Sequence, residues 1–305
     1  MFRSLLLVVA AGYVFSERLP NFYVSNGELR KISQMLRQVD HNKAQPEQIH
    51  LNYQGKAEGS YDSAPRRFFE WVDPRLLEKP SVKQLIAMMN NFNRKTGKVE
   101  PRVSPDEEQR EISDFLTTIL ASEPWQILYD FLEEKGHPYA ESPSTFRERI
   151  QQLWFEHYPR SKGKPDSSGF EHVFIGEEKK RMVSGLHNWI RLYFLEKDPK
   201  EELDYKGYIE QRGKVMAALR FTWHGALKKI GSILIGTSPE FDMALYTLCF
   251  LSRRGRELCK VEIDGCSVSI TSYDMIKNNK VYIGTVFPTA GKKSDTCGKV
   301  WSMRL

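Results

Sequence analysis

The residues best suited to chemistry are His172 and His187, which sit 15 positions apart in a dense run of aromatic, apolar and acidic side chains spanning residues 169–208. An imidazole titrates near neutral pH, so a pair across one cleft can divide a proton transfer, one ring taking a proton and the other giving one. Applied to RNA, one ring would remove the 2′-hydroxyl proton and the other would protonate the leaving 5′-oxygen. A histidine among apolar residues is more often a hydrogen-bonded core residue, so spacing alone does not make this pair catalytic.

The flanking sequence suggests how the two could meet. Residues 170–175 are rich in β-branched and aromatic types and end at Gly176, which predicts a short strand. Met182, Val183, Leu186, Ile190, Tyr193 and Phe194 then recur at helical spacing and predict a helix that Asp198-Pro199 stops. His172 would lie on the strand and His187 inside the helix, beside its apolar stripe. A strand–turn–helix unit can fold one ring towards the other.

Five longer blocks surround and include this pair: GFEHVFIGE, SGLHNW, LDYKGYI, IGTSPEFDMALYTLCFL and YIGTVFP, in that order between residues 169 and 288. In content, order and spacing they resemble the signature blocks of the EndoU family, the poly(U)-specific endoribonucleases. The helical region before them is similar to that family's N-terminal lobe. The resemblance implies an α+β fold, a helical N-terminal lobe followed by an antiparallel-sheet catalytic lobe. It also implies cleavage of single-stranded, uridine-containing RNA, leaving 2′,3′-cyclic phosphate and 5′-hydroxyl ends.

The resemblance also assigns residues. The family's two histidines map onto His172 and His187, with His187 read as base and His172 as acid. Its lysine, which steadies charge on the phosphorane, falls at Lys228-Lys229. Lys228 is preferred because Ser232 follows four residues on, the spacing of lysine and substrate-contacting serine in the related coronaviral uridylate-specific endoribonuclease. Glu171 and Glu177 correspond to glutamates that the family's activity needs, to orient the imidazoles or help hold a divalent ion. Uridine selection in the family involves a Thr-x-Tyr pair, and this chain has Thr285-Val286-Phe287. Thr285 would read the uracil edge with Ser232 as a second contact, and Phe287 would stack on the base. Phenylalanine departs from the family's tyrosine, so stacking is kept while any phenolic contact is lost. Mn2+ dependence is implied by the resemblance alone, with Ca2+ the other ion it admits. The alternative reading is a catalytically inactive RNA-binding protein on the same scaffold, against which the intact His, His, Lys and Thr set argues.

The rest of the chain is consistent with this reading. A basic start at Arg3, an apolar run over residues 5–15 and small residues near Ser16 describe a secretory signal peptide over residues 1–16, and hence a secreted protein. That run is shorter than the roughly 20 residues a spanning helix needs, and no later stretch reads as a membrane anchor. The net charge of +6 is scattered and favours a polyanionic partner only weakly. Cys249, Cys259, Cys266 and Cys297 are even in number and clustered, which in an exported chain suggests disulfides. Asp264-Gly265 predicts a two-residue hairpin turn that sets Cys266 opposite Ile263 and Cys259 opposite Ile270, disfavouring a Cys259–Cys266 bridge.

Residues 25–158 read as helices joined by polar loops, starting with the capping box Ser25-x-x-Glu28. The Pro-, Gly-, Ser- and Lys-rich stretch 158–168 places a boundary, with the catalytic lobe over 159–305. His41, His50, His137, His157 and His224 lack a comparable setting and read as structural. The protein is expected to be a monomer.

Overall fold

The computed structural model describes residues 19–298 except 21, 60, 98–103, 161–164 and 256, so the N-terminal apolar run lies outside the described residues. The chain opens with α1 (Asn26–Gln38), a short pair β1 (Ile49–Leu51) and β2 (Phe69–Val72), and α2 (Pro74–Leu77). Helices α3 (Pro80–Ala87), α4 (Pro105–Leu120), α5 (Glu123–Glu134) and α6 (Pro143–Phe155) follow. The capping box forms as read: Glu28 N donates to Ser25 Oγ at 3.2 Å, and Ser25 N to Glu28 Oε2 at 2.8 Å. The pair β1–β2 corrects the expectation of helices alone in this lobe. Both strands are too short to show an alternating pattern.

The second half carries β3 (Glu177–Lys179), β4 (Met182–Ser184), α7 (Trp189–Lys197), β5 (Leu203–Arg212), β6 (Met216–Trp223) and β7 (Ala226–Leu234). Helix α8 (Pro239–Arg253) and the strands β8 (Cys259–Ile263), β9 (Cys266–Lys277) and β10 (Lys280–Ala290) complete it. Among the described residues the strands of this half form two sheets, ordered β3-β4-β7-β6-β5 and β10-β9-β8. All pairings are antiparallel except the short β4–β7 contact. The α+β class is as expected.

Helix α8 is apolar almost all round and buried from Pro239 to Leu251, the pattern of a central helix. Helix α1 reaches across to the β8–β9 hairpin: Arg37 Nη2 lies 2.8 Å from Asp264 Oδ2, and Gln34 Nε2 donates to Glu262 Oε1 at 2.6 Å. Helical and sheet regions thus share one hydrophobic core. The hairpin has the predicted register, Ile263 facing Cys266 and Cys259 facing Ile270. The bridges are Cys249–Cys259 and Cys266–Cys297, so the disfavoured pairing is absent.

Two local expectations are overturned around the histidines. Residues 171–175 form one π-helical turn, closed by Gly176 N donating to Glu171 O at 2.8 Å, where a strand was expected. Their aromatic content serves a helical face: Phe170 and Phe174, four apart, stack with centroids 5.1 Å apart. The helix expected from Met182 is also absent. Met182–Ser184 pairs as a strand, Gly185 and Leu186 take positive φ of 65° and 60°, and α7 starts only after Asn188 caps it through Arg191 N at 3.0 Å. Apolar spacing across 182–194 mixes two elements, and His187 precedes the helix.

Candidate active site

The backbone itself joins the two histidines. The π turn leaves the carbonyls of His172 and Val173 pointing sideways, and they accept from Leu186 N at 2.9 Å and His187 N at 2.7 Å. Gly185 makes this approach sterically feasible, because a Cβ there would lie 1.7 Å from His172 O.

Each ring is then fixed through Nδ1. His172 Nδ1 sits 2.7 Å from Glu177 Oε2, at the start of β3. His187 Nδ1 sits 2.8 Å from the backbone carbonyl of Ser232, in β7. A carbonyl only accepts, so His187 carries its proton on Nδ1 and presents a bare Nε2. A carboxylate beside His172 favours the same tautomer and also supports a charged ring.

Strand β7 supplies the cation. The register shift opposite Leu219 and Phe221 of β6 gives β7 one extra residue between Lys228 and Gly231. Ile230 is left 61% exposed there, while Lys228 and Ser232 are buried at 6% and 3%. Gly231 leaves room for the lysine stem, since a Cβ there would meet Lys228 Cγ at 3.2 Å. Lys228 Nζ donates to Gly185 O at 2.5 Å. Lys229 is exposed, which separates the two candidate lysines.

The other sheet supplies the last two expected residues. Thr285 and Phe287 lie half-buried on β10, and the ring of Phe287 stacks on His187 with centroids 5.3 Å apart. Ser232 contributes its backbone carbonyl to His187, a role beyond the hydroxyl contact expected of it. Glu171 is buried in the π turn, where its own carbonyl closes the turn.

Burial dominates the electrostatics. It pulls the Lys228 ammonium down to about 8. Burial, then the nearby Lys228 charge, holds His187 well below the usual imidazole value. His172 is also lowered by burial, but Glu177 opposes the shift. Burial pushes Glu177 up, and the His172 hydrogen bond with the Arg160 charge outweighs it, leaving the carboxyl below its ordinary range.

Sequence reasoning missed Arg160. Its Nε lies 3.3 Å from Glu177 Oε2, and its Nη2 donates to Gly284 O at 2.6 Å. It falls in a stretch read as a linker, and no spacing signal marks it. The five other histidines have partners of their own: His41 lies 3.2 Å from Glu123, His157 3.8 Å from Glu108 and His224 3.3 Å from Glu202. His137 Nδ1 accepts from Tyr139 N at 3.1 Å, and His50 packs against Trp71.

The residues present do not fit the Mn2+ implied by the resemblance. Among the described residues no group of three or more His, Cys, Asp or Glu side chains converges as a metal cage. Glu177 is committed to His172 and Arg160.

Two imidazoles with oriented Nε2 atoms and a buried lysine, set where a five-stranded sheet meets a strand of a second sheet, define a site for paired proton transfer beside a fixed positive charge. The comparisons with known proteins agree with this class. The family model described as endoribonuclease XendoU matches residues 28–288. The uridylate-specific endoribonuclease of Mus musculus is 37% identical over 276 residues, covering 87% of this chain and 66% of that protein. Uridylate-specific endoribonuclease D of Xenopus laevis is 35% identical over 278 residues, covering 87% of this chain and 89% of that protein. The solved structure of XendoU, described as a splicing-independent snoRNA-processing endoribonuclease, superposes with a TM-score of 0.72 at 32% identity, covering 87% of this chain and 97% of that one. The chain belongs to the XendoU endoribonuclease family. It spans just under two thirds of the mammalian relatives it matches, 66% in the mouse and human cases.

Proposed function

We propose that the protein is an endoribonuclease that cuts single-stranded RNA at uridines, leaving 2′,3′-cyclic phosphate and 5′-hydroxyl ends. The observation that carries this reading is the contrast between the two Nδ1 partners. His187, tied to a neutral carbonyl and kept uncharged, takes the 2′-hydroxyl proton on Nε2. The 2′-oxygen then attacks phosphorus, closing the cyclic phosphate as the bond to the 5′-oxygen breaks. His172, whose cationic form Glu177 supports, hands its Nε2 proton to that leaving oxygen. Lys228 offsets the charge gathering on the phosphorane oxygens. Thr285 and the Ser232 hydroxyl read the uracil edge, and Phe287 offers its remaining ring face to the base.

The proposal extends to export as a monomer, supported by the N-terminal apolar run and the two disulfides. Among the described residues no helix is long and apolar enough to cross a membrane. N-terminal sequencing of the expressed protein tests export, an intact Met1 ruling it out, and sedimentation tests the monomer.

The activity is tested on a short RNA with one uridine, for wild type and His187→Ala, with Mn2+, with Ca2+ and with chelator. Cleavage at the uridine, ending in a cyclic phosphate and lost in the variant, is the expected result. Bound but uncut RNA in every lane would overturn it. The chelator lane decides whether an ion takes part.

A further inference from the structure

Arg160 occupies a position that no role above explains. It reaches Glu177 Oε2 through Nε at 3.3 Å, and the same nitrogen donates to Ser167 Oγ at 3.1 Å. Its Nη2 donates to the Tyr158 hydroxyl and to Gly284 O at 2.6 Å. The Tyr158 hydroxyl in turn donates to Ile283 O at 2.9 Å, and the Arg160 guanidinium lies over the Tyr158 ring. One planar fork thus holds the carboxylate behind His172 and the backbone just before Thr285.

That backbone is irregular. The β9–β10 register shifts between Ile283 and Thr285, so Gly284 is the inserted residue, pressed so close to β9 that a Cβ would meet Tyr273 O at 3.0 Å. Side chains alternate along a strand, so the bulge decides which face Thr285 and Phe287 occupy. Its carbonyl is held by Arg160.

We propose that Arg160 is a positioning residue that couples the acid to base selection, its Nε side setting Glu177 against His172 and its Nη2 side fixing the Gly284 bulge that aims Thr285 and Phe287. The inference rests on the reading of this site as a uridine-directed nuclease.

The charged and titratable groups facing His172 are Glu177, Arg160, Lys228 and His187. Arg160 lowers the His172 pKa by its own charge. Removing the charge therefore raises that pKa, whereas lysine keeps the charge but lacks the fork that reaches both partners. The experiment compares Arg160→Gln and Arg160→Lys with wild type. It measures the pH dependence of kcat/KM on single-uridine and single-cytidine RNAs and titrates the His172 imidazole by NMR.

In Arg160→Gln, the His172 titration and the alkaline limb of the rate profile should move to higher pH, and the uridine-over-cytidine preference should fall by about tenfold, the worth of one oriented hydrogen bond. Arg160→Lys should keep the wild-type titration and lose the preference. A uniform drop in activity, with titration and preference both unchanged, would mean the residue is merely structural and would overturn the proposal. An unmoved His172 titration in Arg160→Gln would also overturn it. Wild type that cuts neither RNA would refute the nuclease reading instead, while the NMR titration still tests the link to His172. Should Arg160→Gln not fold, Arg160→Lys decides: wild-type preference in that variant would overturn the coupling.

Discussion

The ring of Phe287 lies against the imidazole of His187, centroids 5.3 Å apart and planes inclined by 26°. Base stacking on Phe287, as proposed, would therefore be tied to the orientation of the proposed base. Phe287→Ala should lose both contacts, lowering kcat/KM about 10- to 100-fold from the usual worth of an aromatic pair plus a base stack. The loss should fall on kcat as well as KM, because His187 loses its support. Phe287→Tyr should stay within about threefold of wild type, since stacking is retained. Steady-state kinetics on a single-uridine RNA checks this, and a change in KM alone would remove the link to His187.

The two adjacent lysines make opposite predictions. Lys228 is buried and donates to Gly185 O, whereas Lys229 points to solvent. Lys228→Ala should reduce kcat by about 10²- to 10³-fold, the usual cost of losing a preorganised electrostatic contact in a site shielded from water. Lys229→Ala should stay within about threefold at moderate salt, as a screened surface charge would. Equal losses in the two variants would contradict the placement of Lys228.

The pH profile follows from the same burial. As the proposed base, His187 must be neutral, and its value well below 6.5 puts the acidic limb in acid solution. As the proposed acid, His172 must be protonated. Its value is lowered too, so activity falls about tenfold per pH unit once that proton is lost. Lys228 loses its charge above about 8, and from there the decline should steepen to about a hundredfold per unit. Arginine stays charged across this range, so Lys228→Arg should remove the steepening while leaving the first decline. Measuring kcat/KM between about pH 4 and 10 tests the signs, and steepening that persists in Lys228→Arg would exclude Lys228 as its source.

Much of the scaffold was legible because local chemistry and final structure agree there. Ser238-Pro239 starts α8 and Asp264-Gly265 turns the β8–β9 hairpin, each through residues whose conformational preferences act at short range. The histidines, Thr285 and Phe287 were named from blocks of sequence, and Lys228 and Ser232 from a four-residue spacing just before one of them; the fold draws on the 171–189 unit, β7 and β10 to hold them. What could not be read is the unit that holds the histidines. A π turn has no period of its own, and five buried residues in a row, Glu171 to Ile175, look the same whether strand or helix. Arg160 was invisible for a different reason: its partners Glu177 and Gly284 lie 17 and 124 positions away, and its neighbours have the composition of a loop.

Gly185 gives the most demanding test of how the site is assembled. Its φ is +65°, and a Cβ would lie 1.7 Å from His172 O, within the backbone pairing that brings the histidines together. Gly255 has a comparable φ of +73°, but nothing lies within 4 Å of its Cβ position. Both alanine variants incur the left-handed strain of about 1–2 kcal/mol, and only Gly185→Ala adds a collision with backbone that cannot rotate away. Gly185→Ala should therefore destabilise by about 3 kcal/mol or more and abolish cleavage, because relieving the clash separates Leu186 N from His172 O. Gly255→Ala should cost about 1 kcal/mol and leave activity near wild type. Urea unfolding and single-uridine cleavage of both variants provide the check. If Gly185→Ala proves as mild as Gly255→Ala, the close approach of residues 185–187 to the π turn is not what sets the distance between the two imidazoles.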